Sequence, residues 1–282
     1  MTNRSGSIAA AVMCGVITLI AGCGPTKIAE EKSTACEPRD IQVDAANQSF
    51  DISWKDDCTE LKSGYNIYIT DTPLVSKYPN GEIPASVRPF NLTTYPGDTD
   101  PEDPVEHFIA KGLENGTKYY VSVRVVNADR TMSKPSKEVA AVPGPRGEIE
   151  LSIRYNGEDD GYSFDKNEYV RADASANDLY FYSLKGKDYL ASPDRLNGFL
   201  KKNRFAKLSF RGDLAALRKQ IDRIKTSPSQ EKLEIAPGDW LLIRTDTKTW
   251  ALVNVLGLTG TGDQRKVKLF FAYDPAPGEM IF

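Results

Sequence analysis

Short runs of alternating apolar and polar residues, divided by turn-forming residues, recur along most of this chain, and only one stretch has helical spacing. Ile41 and Val43 alternate with polar neighbours, and so do Phe50, Ile52 and Trp54 beyond Ala45–Gln48. The runs 64–70, 106–110, 120–126 and 137–142 continue the pattern. After Pro143–Gly147 it resumes with Ile149, Leu151 and Ile153, then 178–184 and 204–210. Residues 239–245 and 250–256 flank Asp246–Thr249 as a hairpin would. Val267, Leu269, Phe271 and Tyr273 form a closing strand. The helical exception begins at Asp213, a capping residue, and sets Leu214, Leu217, Ile221 and Ile224 on one face. This pattern predicts a mostly β chain in two parts, a β-rich segment over 37–143 and a second β-rich domain with one amphipathic helix over 147–282. Pro143–Gly147 reads as the hinge between them.

The first of these segments resembles a known family. Trp54 sits where a fibronectin type III domain carries its core tryptophan, and Gly64–Tyr65–Asn66–Ile67–Tyr68 matches the third strand. Leu113, Gly116, Thr117 and Tyr119 match the tyrosine corner, and Ser133–Ser136 matches the turn into the last strand. Residues of about 36–142 therefore resemble a fibronectin type III domain. The resemblance implies two packed antiparallel sheets of about seven strands, with the Tyr119 hydroxyl bonded back to upstream backbone. One departure is a long connection, 71–104. Its Asp98, Asp100, Glu102 and Asp103 read as a solvated acidic loop without ordered calcium spacing, and Tyr78, Phe90 and Tyr95 either pin it or line a contact surface. The segment beyond 147 is similar to the β-rich C-terminal modules of other envelope lipoproteins, on Gly161–Tyr162–Ser163–Phe164–Asp165 and Pro237–Gly238–Asp239–Trp240. That likeness brings no site with it. Glu158, Asp159, Asp160 and Asp165 read as an exposed acidic turn, with a calcium site as the other reading.

The N-terminus bears on location. Arg4 precedes an apolar run from Ile8 to Ile20, about 13 residues, which suits a signal-peptide core and is short for a membrane span. Leu19–Ile20–Ala21–Gly22–Cys23 follows and resembles the lipobox of bacterial lipoproteins. The resemblance implies a signal peptide of residues 1–22, lipidation at Cys23 and a tether over 23–36. Gly24 in place of Asp implies the outer membrane if the host is Gram-negative. Cys14 leaves with the signal, so Cys36 and Cys58 remain. Each lies eleven residues from Asn47, and a hairpin centred there brings them opposite each other. A disulfide in an oxidising compartment is the expectation, and two free thiols are the other reading.

The remaining composition narrows function. The net charge of −3 argues against nucleic-acid binding, and His107, the single histidine, falls in a sandwich strand. No Cys/His metal spacing, phosphate loop or nucleophile–base pattern is present, and two acids among 39 Asp and Glu identify no glycosidase. The expectation is a chain without catalysis, metal or cofactor: a membrane-anchored cell-envelope lipoprotein that binds protein or polysaccharide. The alternative is an accessory structural subunit of a periplasmic or outer-membrane complex. Arg211–Gly212–Asp213 is explained by helix capping, and Trp240 and Trp250 by core packing or glycan contact.

Overall fold

Period-two burial builds most of the strands. In β2 (Ser49–Lys55) the side chains of Phe50, Ile52 and Trp54 are fully buried while Asp51 points to water, the half-buried pattern that alternation predicts. The computed structural model describes residues 37–56, 62–98, 103–157, 159–195, 201–278 and 280–282. Residues 35–282 form one compact unit, mostly β.

Two pairs of antiparallel sheets make up this unit. In the first pair, β1 (Arg39–Ala46), β2 (Ser49–Lys55) and β4 (Val105–Lys111) are ordered β1-β2-β4. They face β3 (Lys62–Thr70), β5 (Tyr119–Asn127) and β6 (Val139–Ala141), ordered β3-β5-β6. Phe50, Ile52 and Trp54 meet Tyr65, Ile67, Val121, Val123 and Val125 between them. Trp54 and Tyr65 pack edge to face at 5.0 Å. Burying each such side chain stabilises the fold by about 1.5–3 kcal/mol. The β1–β2 hairpin closes on Asn47–Gln48 with Ala46 opposite Ser49, and a bulge between Arg39 and Gln42 shifts its far end so that Arg39 faces Lys55.

The long connection is anchored rather than free. Tyr65 and Tyr95 exchange backbone hydrogen bonds of 2.7 and 2.9 Å, the Phe90 amide donates to the Ile67 carbonyl, and the Asn91 side chain bonds both Ile67 and Tyr65. Phe90 and Tyr95 pack on the sandwich core, and a four-residue helix, α1 (Leu74–Lys77), buries Leu74. That helix was not legible in the hydrophobic pattern.

The second pair is larger. One sheet is ordered β12 (Arg204–Leu208), β14 (Trp240–Arg244), β15 (Trp250–Thr259), β16 (Lys266–Asp274) and β7 (Arg146–Ser152). The other is ordered β13 (Lys232–Glu234), β11 (Lys187–Ala191), β10 (Leu179–Leu184), β8 (Gly161–Ser163) and β9 (Glu168–Val170). Leu151, Phe164, Phe181, Leu190, Phe205, Leu241, Val253 and Phe271 fill the space between them. On the other face of β14, Trp240 and Leu242 are covered by Leu214, Leu217, Ile221 and Ile224. The expected helix is shorter than its stripe. α2 spans Leu214–Arg218, capped by Asp213, which accepts from the Ala216 amide at 2.8 Å. Gln220 leaves helical geometry (φ −121°), and a 3-10 turn, Ile221–Arg223, follows. The break keeps Ile221 and Ile224 on the same cluster.

The 143–147 connector differs from the expected hinge. Pro143, Gly144 and Pro145 are buried. The Gly144 amide donates to Ala46, Gly116 donates to Pro143, and Tyr273 donates to Pro145. Arg218 adds an ion pair with Asp44 on β1. Backbone bonded on both sides leaves no free rotation there.

Candidate functional site

The second sandwich carries a cleft of about 370 Å³ where five segments converge. The β8 end brings Ser163 and Asp165, the approach to β10 brings Asp178, and the approach to β12 brings Lys201. The β14–β15 turn brings Thr247 and Thr249, and the end of β16 brings Tyr273 with Pro275 and Pro277. The turn is built by its own hydroxyls: Thr245 bonds Thr247 and Thr249, and Thr249 bonds the Tyr273 hydroxyl at 2.9 Å.

Asp178 is the anchor of this cleft. It is buried, and its Oδ2 accepts from the Phe164 amide at 2.7 Å while Lys201 Nζ lies 2.7 Å from Oδ1. Burial raises its pKa, and Lys201 opposes that shift. Burial likewise pushes the Tyr273 phenol up to about 12, so it stays a neutral donor and acceptor. The cleft is lined by the Lys201 ammonium, held by Asp178 and the Ala176 carbonyl, by the Asp165 carboxylate and by the hydroxyls of Ser163, Thr247, Thr249 and Tyr273. Such a lining hydrogen-bonds a hydroxyl-rich ligand. The cleft is not legible in the sequence: Lys201 stands in no motif, and Asp178 opens the Asp178–Leu179–Tyr180–Phe181 strand without marking a site there.

A second polar cluster closes one end of the first sandwich. The buried Tyr65 hydroxyl bonds Asp56 at 2.7 Å and Glu106 at 2.8 Å, and Lys62 lies within reach of all three. Burial, then the two carboxylates, raise the Tyr65 pKa, so the phenol remains protonated and donates. The network satisfies groups that would otherwise be costly to bury.

The residues singled out from sequence fall as follows. Cys23, Cys36 and Cys58 lie outside the described residues. Leu113 is buried in the first core, Gly116 has φ +82°, and the Tyr119 hydroxyl accepts from the Glu114 amide at 3.2 Å. His107 is exposed on β4, with Nδ1 3.6 Å from Asp51. Asp100, Glu102 and Glu158 lie outside the described residues. Asp98 donates its amide to Glu106 at 2.8 Å. Asp160 departs from the expected exposed turn: it is buried and accepts from the Tyr155 and Ala172 amides. Among the described residues no group of three His, Cys, Asp or Glu is placed to hold a metal, and no helix is long and apolar enough to cross a membrane. Trp240 is buried and donates to Gly212, and Trp250 donates to Gly278.

No family model matches the chain, and no curated protein matches it. Among solved structures, a Family 28 exopolygalacturonase of Yersinia enterocolitica aligns with 45% of this chain and 23% of its own, at 20% identity and a TM-score of 0.26. The expectation that the chain catalyses nothing is withdrawn on this match, because the aligned structure is an enzyme's. At that TM-score the match carries no argument for any particular activity.

Proposed function

We propose that this chain is a cell-envelope lipoprotein, anchored through Cys23, that binds protein or polysaccharide. Its first sandwich is a fibronectin type III-like module over about 36–142, and its second, over 147–282, is an envelope module. The sheet orders β1-β2-β4 and β3-β5-β6, with Trp54 in the core and Tyr119 bonded back to Glu114, support the first assignment. The cleft of Asp165, Lys201, Thr247 and Thr249 carries the binding reading, because hydroxyls and one ammonium on a rigid frame suit a polar ligand. The accessory-subunit reading draws on the buried connector, which makes the two sandwiches one stiff spacer.

The test joins location to ligand. Intact and lysed host cells are treated with protease, and the purified full chain is screened on glycan and protein arrays alongside Lys201→Met. Digestion on intact cells and a ligand lost on Lys201→Met support the binding reading. Protection until lysis, no array ligand and stable crosslinking into an envelope complex favour the accessory subunit.

A further inference from the structure

The outer face of the β10–β11 hairpin holds three stacked tyrosines. Phe181 and Leu190 point into the core, so Tyr180, Tyr182 and Tyr189 stand on the opposite face. Tyr182 lies directly across from Tyr189, with ring centroids 5.1 Å apart and planes inclined by 16°, and Tyr180 continues the stack at 5.8 Å. A cation caps each end. The Arg154 guanidinium is 5.4 Å from the Tyr180 ring and 4.5 Å from that of Tyr155, which is 69% exposed, and Lys232 Nζ is 5.4 Å from the Tyr189 ring. The neighbouring charges cancel: Lys187 pairs with Glu234 and Arg195 with Glu231. Arg154 and Lys232 form no ion pair among the described residues. This face therefore has surplus positive charge on a chain whose net charge is −3.

We propose that the Tyr182–Tyr189 face, backed by the buried Tyr180 and flanked by Arg154 and Lys232, binds an acidic polysaccharide. Tyr182 and Tyr189 are half-buried and offer apolar ring edges beside hydroxyl donors, a combination that fits sugar rings and their oxygens, while Tyr180 is buried and only supports the stack. The Tyr182 and Tyr189 hydroxyls have no hydrogen-bond partner among the described residues. Two unpaired cations at the ends of the stack suit a chain bearing about one carboxylate per sugar. A nucleic acid, with a charge about every 1.7 Å along its axis, needs a much denser basic surface. The site is separate from the Lys201 cleft but rests on the reading of the chain as a binding module.

The test is affinity electrophoresis of the detergent-solubilised full chain in gels containing alginate or neutral dextran. The expected result is retardation by alginate and not by dextran, weakened about tenfold in Arg154→Gln with Lys232→Gln and abolished near 0.5 M salt. Tyr182→Ala should weaken it as well, with urea midpoints confirming that each variant is folded. No retardation of the wild type, or retardation unchanged in folded Arg154→Gln/Lys232→Gln, overturns the inference. Binding only to phosphatidylglycerol vesicles also overturns it. Alginate binding lost in Lys201→Met but kept in the face variants overturns this face alone and leaves the binding-module reading standing. No ligand of any kind, on arrays or in gels, overturns both.

Discussion

A Cβ atom on Gly144 would lie 2.1 Å from the carbonyl oxygen of Tyr273. That approach is possible only because residue 144 has no side chain, and it lets β16 run alongside the connector while Tyr273 donates to Pro145 at 2.8 Å. Gly144→Ala should therefore push the connector off β16 and cost on the order of 3 kcal/mol. Gly257→Ala is the control, because nothing lies within 4 Å of its Cβ position. Urea unfolding of the two variants checks this: a lowered midpoint for Gly144→Ala beside a near-unchanged Gly257→Ala is the expected pair.

Arg218 and Asp44 join α2 to β1. Arg146 lies close by, and burial, then the Arg218 charge, hold its pKa below its ordinary value. The buried Arg146 Nε and the Arg218 Nε and Nη2 have no hydrogen-bond partner among the described residues. Asp44 is thus the balancing charge for two guanidiniums. Asp44→Ala should destabilise by about 1–3 kcal/mol, and adding Arg218→Met should recover much of the loss, since a buried charge without its partner costs more than none. A double-mutant cycle in urea reads the coupling. Additive losses would contradict it.

Asp274 gives the fold a signed pH dependence. It is 1% exposed, and burial raises its pKa to about 6 against the opposing amide bonds from Ile281 and Ala276. The folded state thus holds this proton at a pH where the unfolded chain has released it. Its contribution is most favourable below about pH 4 and is lost as pH rises through 6, a change on the order of 3 kcal/mol. The difference in stability between wild type and Asp274→Asn, measured from pH 4 to 7, should shift across that window. A difference that is flat with pH would contradict the assignment.

The strands were largely legible because alternation is local: Phe50, Ile52 and Trp54 declare β2 without reference to anything distant. The helix cap at Asp213 was legible for the same reason. Gln220 ends that helix because the packing of Ile221 and Ile224 overrides the spacing. The cleft was not legible. Ser163, Asp178, Lys201 and Thr249 meet only through the pairing of two sheets, and none of them names a site by itself. Asp160 failed for a related reason, since an acidic turn in sequence is a backbone clamp once the Tyr155 and Ala172 amides converge on it.

The β1–β2 register bears on Cys36 and Cys58. Arg39 faces Lys55, and the two cysteines stand three positions beyond these residues in the sequence. A Cys36–Cys58 bridge should appear as a linked peptide pair in non-reducing digests. Reducing it should cost about 3 kcal/mol through the loop it closes. Alkylation of both thiols without reductant would contradict the pairing.

The central claim is that lipid at Cys23 holds this chain at the envelope. Metabolic labelling with an alkyne fatty acid, followed by membrane fractionation of wild type and Cys23→Ala, tests it most directly. The account predicts a labelled wild-type protein in the membrane fraction and an unlabelled, released Cys23→Ala. An unlabelled wild type, or a Cys23→Ala chain that is still labelled and sediments with the membrane, would contradict it.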